Sequence, residues 1–299
     1  CVLATTGPRS GLRHLERALA AGRRPDPGTP RRGSRPWSSF TPEGYRDAVA
    51  RARELIRAGD CYQVNLAQRL TAEWSRHPLD FAARLWAAAG PARHRAYLGL
   101  PDGVVASASP ELLLRVHAGV ATSEPIKGTA LLGHGPRLAA SAKDRAEHVM
   151  IVDLVRNDLG RVAAAGGVSV PRLMEWLPTP YVEHLVSEVR ARLRPGVTAA
   201  EALRAVFPGG SVTGAPKVRA VEIIRELEPV GRGPAFGSVV AVGRDGSVDA
   251  SVTIRTAWVA GGEARYWCGG AVVWDSDPDA ERREAWAKAV PFLRAIGAP

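Results

Sequence analysis

An α+β chain, with antiparallel sheets packed against outer helices, is what this sequence predicts, and three features predict it. Four short alternating runs, 96–100, 104–108, 112–116 and 120–123, are separated by Pro101-Asp102-Gly103, Ser109-Pro110 and His117-Ala118-Gly119, which is hairpin punctuation. Amphipathic segments with helix start and stop signals flank this meander. The 299 residues, 45% of them hydrophobic, are long enough to enclose a substantial core.

Leu12, Leu15 and Leu19 suggest a basic amphipathic helix within residues 1–21, and the Arg/Pro/Gly-rich stretch that follows, to residue 39, reads as a linker. The compact domain is expected over 40–299. Thr41-Pro42-Glu43 supplies an N-cap, an N1 proline and an early acid, and Val49, Ala52, Leu55 and Ile56 mark the buried face of a helix that stops at Gly59. Residues 60–70 alternate as a strand; one face carries Gln63, Asn65 and Arg69, too polar for a pure core and suited to a cavity wall. A helix is expected around 79–89, before the meander. Residues 141–159 form the clearest helix, opened by Ser141 with Asp144 and closed by Gly160. Another should follow the glycine-rich stretch 207–217, and a strand over 248–256 carries Arg255. The last helix starts at Asp277-Pro278, with Pro291 ending or kinking its first part.

The net charge is +10, but residues 1–60 contain twelve Arg, no Lys and six acids, so most of the excess lies in the first fifth of the chain. No basic run is interleaved with aromatics, which argues against nucleic-acid binding. Cys1, Cys61 and Cys268 are widely spaced and lack zinc spacing; scattered thiols fit a reducing, cytoplasmic setting. No apolar run reaches the roughly twenty residues that span a bilayer. The chain opens without Met or a signal-peptide pattern, which is compatible with a piece of a longer protein.

The stretch Thr122-Ser123-Glu124-Pro125-Ile126-Lys127-Gly128-Thr129 places a lysine between a φ-fixing proline and a permissive glycine. Taken locally it suits a hairpin turn with a solvated lysine better than an amine aimed into a pocket as a nucleophile, which also needs burial or a nearby cation to lower its pKa and so depends on what the rest of the chain brings to it. Two helices carry spaced carboxylates: Asp144 and Glu147 on one, Glu281 and Glu284 with Lys288 on the other. Each alone reads as a solvated face or as dipole compensation worth about 0.3–1 kcal/mol. Together they suggest oxygen ligands for a hard cation such as Mg²⁺. The loop through Thr213 and Lys217 feeds a helix N-terminus, an anion-holding geometry without the Walker A order, and Gly269-Gly270 offers a second close backbone approach.

The chain closely resembles the chorismate-utilising enzymes. Gly59-Asp60-Cys61-Tyr62-Gln63-Val64-Asn65-Leu66, Ser109-Pro110-Glu111, Pro125-Ile126-Lys127-Gly128-Thr129, the run from Ala146-Glu147-His148 to Leu159-Gly160-Arg161, Gly209-Gly210-Ser211-Val212-Thr213-Gly214-Ala215-Pro216-Lys217, Ile254-Arg255-Thr256 and Asp275-Ser276-Asp277-Pro278 stand in the family's order over about residues 41–298. The resemblance implies an anthranilate synthase component I-like fold, with a large two-layer antiparallel core flanked by helices. Lys127, where anthranilate synthases carry alanine, and Gln63, where isochorismate-type members carry a water-activating lysine, match the aminodeoxychorismate synthase branch best.

That branch implies Lys127 as the nucleophile that adds to C2 of chorismate and Glu111 as the acid that protonates the departing C4 hydroxyl. It implies Mg²⁺ on Glu147 and Glu284, supported by Asp144 and Glu281. Arg255, Lys288 and the backbone at Gly269 and Gly270 would hold carboxylates, with Gln63, Thr129, His184, Thr213 and Lys217 lining the pocket. Ammonia, free or from a glutamine amidotransferase partner, would then yield 4-amino-4-deoxychorismate, for para-aminobenzoate and folate or for specialised metabolism. The alternatives are anthranilate synthase or another chorismate conversion, or a catalytically impaired chorismate-binding module. Two departures bear on this: Ala271 replaces a typical third glycine and is expected to crowd the carboxylate site, and Val240-Ala241 replaces a Gly-Tyr pair expected to touch substrate.

Overall fold

The computed structural model describes residues 35–131, 141–178 and 182–298; the basic helix expected within 1–21 lies outside them. In chain order the elements are β1 (Trp37–Ser38), α1 (Pro42–Arg57), β2 (Gln63–Glu73), α2 (Pro78–Ala89), β3 (His94–Leu100), β4 (Gly103–Ser109), β5 (Leu112–His117), β6 (Val120–Glu124) and β7 (Ile126–Leu131). Then come α3 (Ala142–Gly160), β8 (Ala163–Pro178), β9 (Val182–Leu193), α4 (Ala199–Val206), α5 (Gly210–Thr213), β10 (Gly214–Ala215) and α6 (Lys217–Leu227). The chain closes with β11 (Ser238–Val242), β12 (Val248–Val252), β13 (Thr256–Ala260), β14 (Glu263–Val272), α7 (Pro278–Lys288) and α8 (Val290–Ile296).

Two antiparallel sheets form the core, as the sequence predicts. One runs β1-β2-β14-β13-β4-β3, with β10 also on β2; the other runs β11-β12-β5-β6-β9-β7, with β8 on the far edge of β9. Helices cover them from outside. Val152, Val155 and Leu159 of α3 and Ala202 and Val206 of α4 pack with Leu114, Val189 and Val252 of the second sheet. On the first sheet, α2 and α8 bury Phe81, Leu85 and Phe292 against Leu70 and Tyr266, while α1 and α6 bury Tyr45, Val49 and Ile223 against Val64 and Leu66. Thr41 caps α1 by accepting from Gly44 N at 3.0 Å. Pro291 divides the C-terminal helical segment, sitting in the first turn of α8.

Three features differ from the sequence reading. Trp37–Ser38, within the segment read as linker, already pairs with Leu70 and Thr71 of β2. Ser109-Pro110 is not a hairpin: β4 pairs with β3 and β13, whereas β5 pairs with β6 and β12, so the chain changes sheets there. Alternation marks strands but does not say which strands pair. The long pair β8 and β9 was not anticipated as two strands. Residues 183–189 of β9 are buried on both faces, and four of them are polar, Glu183, His184, Ser187 and Glu188, so no apolar–polar alternation signals the strand.

Candidate active site

The chain crosses between the sheets at two adjacent places. Pro110-Glu111 links β4 to β5, and Thr253-Ile254-Arg255 links β12 to β13. The crossings are hydrogen-bonded to each other, Ala108 N donating to Arg255 O (3.1 Å) and Val252 N to Glu111 O (3.1 Å). They thus deliver one acid and one guanidinium to the wall of a cavity of about 420 Å³ that both sheets line. Arg255 occupies a left-handed backbone conformation, φ +49°, which only a few per cent of non-glycine residues adopt.

Lys127 is placed by backbone devices on either side of it. Pro125 has no N–H, so the β6–β9 ladder stops and Pro125 O instead accepts from Ser187 N at 3.1 Å. Pairing resumes as β7 with a register shift between Lys127 and Thr129, where Gly128 stands at φ +72°. The resulting bulge turns Lys127 into the cavity, 14% exposed, with Nζ 3.0 Å from Glu147 Oε2.

Glu111 is buried, and burial pushes its carboxyl up to about 7, against the opposing pull of a Ser211 hydrogen bond, the Lys127 charge and the Ile126 amide. Ser211 Oγ donates to Glu111 Oε1 at 2.6 Å. His184 is pushed down to about 4 by burial and by the Arg255 charge, so it is neutral at pH 7. Its Nε2 accepts from Arg255 Nη2 (3.3 Å), which leaves Nδ1–H to donate to Gly128 O (3.2 Å). His184 therefore ties the Arg255 crossing to the bulge beside Lys127.

The facing helices bring Glu147 from α3 and Glu281, Glu284 and Lys288 from α7 to the same cavity. Ser276 Oγ donates to Glu281 Oε1 at 2.6 Å. Lys288 Nζ lies 2.7 Å from Glu284 Oε1 and donates to Gly269 O at 3.0 Å. A Cβ built on Gly270 would come within 2.8 Å of Glu281 Oε2 and 3.8 Å of Glu284 Oε1, so glycine leaves a cradle between the strand and two carboxylates. Carboxylate oxygens converging beside such a gap suit a small hard cation, although the described residues hold no preformed cluster of three ligands. The fit to Mg²⁺ is thus one of donor type, the hard carboxylate oxygens of Glu147, Glu281 and Glu284. Among the other residues expected here, the side chains of Asp144 and Thr129 lie outside the described set.

Not every expected residue reaches the cavity. Gln63 is fully buried on β2 and does not line it, while Asn65, two positions along the same face, does. Thr213 Oγ1 donates to Gly209 O (2.8 Å) and Lys217 Nζ to Asp158 Oδ2 (2.7 Å) and Val206 O (3.3 Å); both stiffen the glycine-rich loop from behind. Val240 and Ala241 lie on the exposed strand β11, away from the lining residues, whereas Ala271 is on the wall. Ser211, Phe236 and Trp267 line the cavity without having been singled out. Ser211 had a signal: it sits between Gly210 and Thr213 in the loop already read as functional.

A two-sheet α+β fold with an acid, an amine and two further cations around one cavity defines the class, and the comparisons narrow it. Residues 6–294 match the family model described as chorismate binding enzyme, and the chain belongs to that family. It is 43% identical over 267 residues to aminodeoxychorismate synthase component 1 of Escherichia coli strain K12, covering 87% of this chain and 59% of that protein. It is 42% identical over 274 residues to anthranilate synthase component 1 of Streptomyces coelicolor, covering 88% and 53%. The crystal structure of anthranilate synthase component I from Streptococcus pneumoniae superposes with a TM-score of 0.84 at 33% identity, covering 97% of this chain and 66% of that one. The chain thus spans about three-fifths or less of the length of these curated relatives.

Proposed function

We propose that this chain carries the catalytic site of an aminodeoxychorismate synthase component 1, converting chorismate and ammonia to 4-amino-4-deoxychorismate. The observation that supports this reading is Lys127, its amine in the cavity that Glu111 also lines and within electrostatic reach of that acid. Arg255 and Lys288 bring two cations to the same walls, as a substrate with two carboxylates requires. Glu147, Glu281 and Glu284 would hold Mg²⁺, with Asp144 in support; bound there, the ion would supply positive charge to a substrate carboxylate.

In this reading Lys127, once it has given up a proton to solvent, forms a bond from its amine nitrogen to C2 of chorismate. The ring π electrons shift, the C4–O bond breaks, and the departing oxygen takes the Glu111 proton and leaves as water. A carboxyl poised near 7 is protonated often enough at neutral pH to give that proton and acidic enough to release it. Ammonia, free or passed on by a glutamine amidotransferase subunit or domain, then bonds to C4. The electrons return and the C2–N bond to Lys127 breaks.

The second reading is anthranilate synthase, favoured by the 42% identity to that relative. Mass spectrometry of the protein with chorismate and Mg²⁺ but no ammonia separates the two. An adduct on Lys127, absent from Lys127→Ala, is expected. Anthranilate fluorescence on adding ammonia to the unmodified protein would overturn the leading reading.

A further inference from the structure

Among the described residues, Ser211 is the one on the cavity wall whose hydroxyl meets the acid, and several elements cooperate to put it there. It sits in the single turn α5, immediately after Gly209-Gly210. A Cβ on Gly210 would come within 2.3 Å of Leu154 Cδ2 of α3, and one on Gly209 within 3.3 Å of Leu113 Cδ1 of β5. The two glycines therefore let the loop press against the helix and the strand that flank Glu111. Thr213 Oγ1 and Val212 N both bond to Gly209 O (2.8 and 3.3 Å) and close the turn on itself. From outside, Arg232 Nη1 donates to Val212 O (2.7 Å), with Nη2 donating to Asn65 O (2.7 Å) and paired to Glu228 (2.6 Å). These contacts brace the loop on both sides of the 2.6 Å hydrogen bond to Glu111.

We propose that Ser211 is a positioning residue for Glu111: its hydroxyl occupies Oε1, which leaves the transferable proton on Oε2 and steadies the carboxylate once that proton has gone. The proposal rests on the reading of Glu111 as the general acid. The proton moves from Oε2 to the departing hydroxyl oxygen, the C–O electron pair goes with that oxygen, and water leaves. Glu111 then carries a full negative charge that it did not carry before. A hydroxyl donating to an ion bonds more strongly than one donating to a neutral acid, so the Ser211 contact strengthens as the reaction proceeds. The groups facing Glu111 are the Lys127 amine and Ile126 N–H from β7 and Ser211 from α5; Glu147, Arg255 and His184 stand elsewhere on the wall. Of the contacts that favour its ionised form, Ser211 is the largest.

The test compares Ser211→Ala with Ser211→Thr in the purified chain. Removing the hydroxyl takes away a contact that favours the carboxylate, so Glu111 holds its proton to higher pH. For Ser211→Ala the alkaline limb of the kcat profile should move up by about one pH unit, and kcat should fall about 10- to 100-fold, with KM changed far less. Ser211→Thr should return the limb to its wild-type position. Infrared titration without substrate gives a second readout: the carboxylic C=O band that disappears in Glu111→Gln should titrate near 7 in the wild type and higher in Ser211→Ala. An unmoved infrared midpoint would overturn the proposal. So would a fall in kcat with an unmoved limb, or a folded Ser211→Thr that behaves like Ser211→Ala. If the wild type consumes no chorismate, the functional reading fails by itself, and the infrared midpoints still decide whether Ser211 governs Glu111.

Discussion

Gly210→Ala probes how the glycine-rich loop reaches the acid. The added Cβ stands 2.3 Å from Leu154 Cδ2 and 3.1 Å from Leu154 Cγ. Carbon atoms settle at about 3.5 Å or more, so either the loop retreats by roughly 1 Å or Leu154 gives up its place. Rotating the outer torsion of Leu154 moves Cδ2 but leaves Cγ where it is, so a rotamer change relieves only part of the clash. A retreat of about 1 Å takes the 2.6 Å contact between Ser211 Oγ and Glu111 Oε1 beyond hydrogen-bonding distance. Overpacking of this kind costs about 1–3 kcal/mol, or a Tm lower by roughly 2–4 °C per kcal/mol. The assay is a double-mutant cycle in urea with Leu154→Ala, which empties the space that the new methyl needs. The paired variant should be more stable than the sum of the singles by about 1 kcal/mol or more. Strict additivity would refute the steric argument, and with it the claim that Gly210 brings the loop to Glu111.

Three further outcomes follow from the geometry. As the proposed general acid, Glu111 would act in its protonated form, and with its carboxyl at about 7, kcat should fall with rising pH to roughly one-hundredth by pH 9; a flat profile from pH 6 to 9 would exclude it as the acid. Gly270→Ala puts a Cβ 2.8 Å from Glu281 Oε2, a carboxylate that Ser276 holds in place, so calorimetry should show Mg²⁺ binding weakened by about tenfold or more. Unchanged affinity would remove Glu281 from the proposed cation site. Arg172 pairs with the buried carboxylates Glu124 and Glu188, which keep Arg93 and Arg190 as other partners. Arg172→Met should therefore lower the urea midpoint by an amount equivalent to about 1–3 kcal/mol, the cost of leaving buried acids short of a donor.

The parts of the fold legible in the sequence are those that short-range chemistry dictates. Thr41-Pro42 starts a helix because the hydroxyl and the ring satisfy its first turn locally, and Pro291 divides the last helical segment because it lacks an N–H. Pro125 and Gly128 announced an unusual setting for Lys127, and the interrupted ladder and bulge account for it. Pairing across the sheets was not legible. Ser109-Pro110 has the composition of a turn, yet the strand that begins just after Glu111, at Leu112, belongs to the other sheet, a difference set by partners more than a hundred residues away in β12 and β13. The site was legible where residues belong to dense motifs and illegible where depth matters. Gln63 and Asn65 share a face of β2, but only Asn65 reaches the cavity, and periodicity cannot grade two positions on the same face.

What separates the two closest readings is a single side chain rather than similarity along the chain. Identities of 43% and 42% over nearly equal lengths differ by only a few residues, and they average over strands and helices that serve any chemistry in this fold. Lys127 is a different kind of observation. Its position is set by the backbone of Pro125 and Gly128, which would place alanine on the same bulge without strain. The fold therefore gains nothing from a lysine there, and a lysine side chain only 14% exposed needs a carboxylate beside it to be tolerated. Glu147 meets that need at 3.0 Å, and it does so from a helix face turned to the cavity. A lysine that the backbone does not require, held facing the cavity beside an acid raised to about 7, is better explained by chemistry at that nitrogen than by structure.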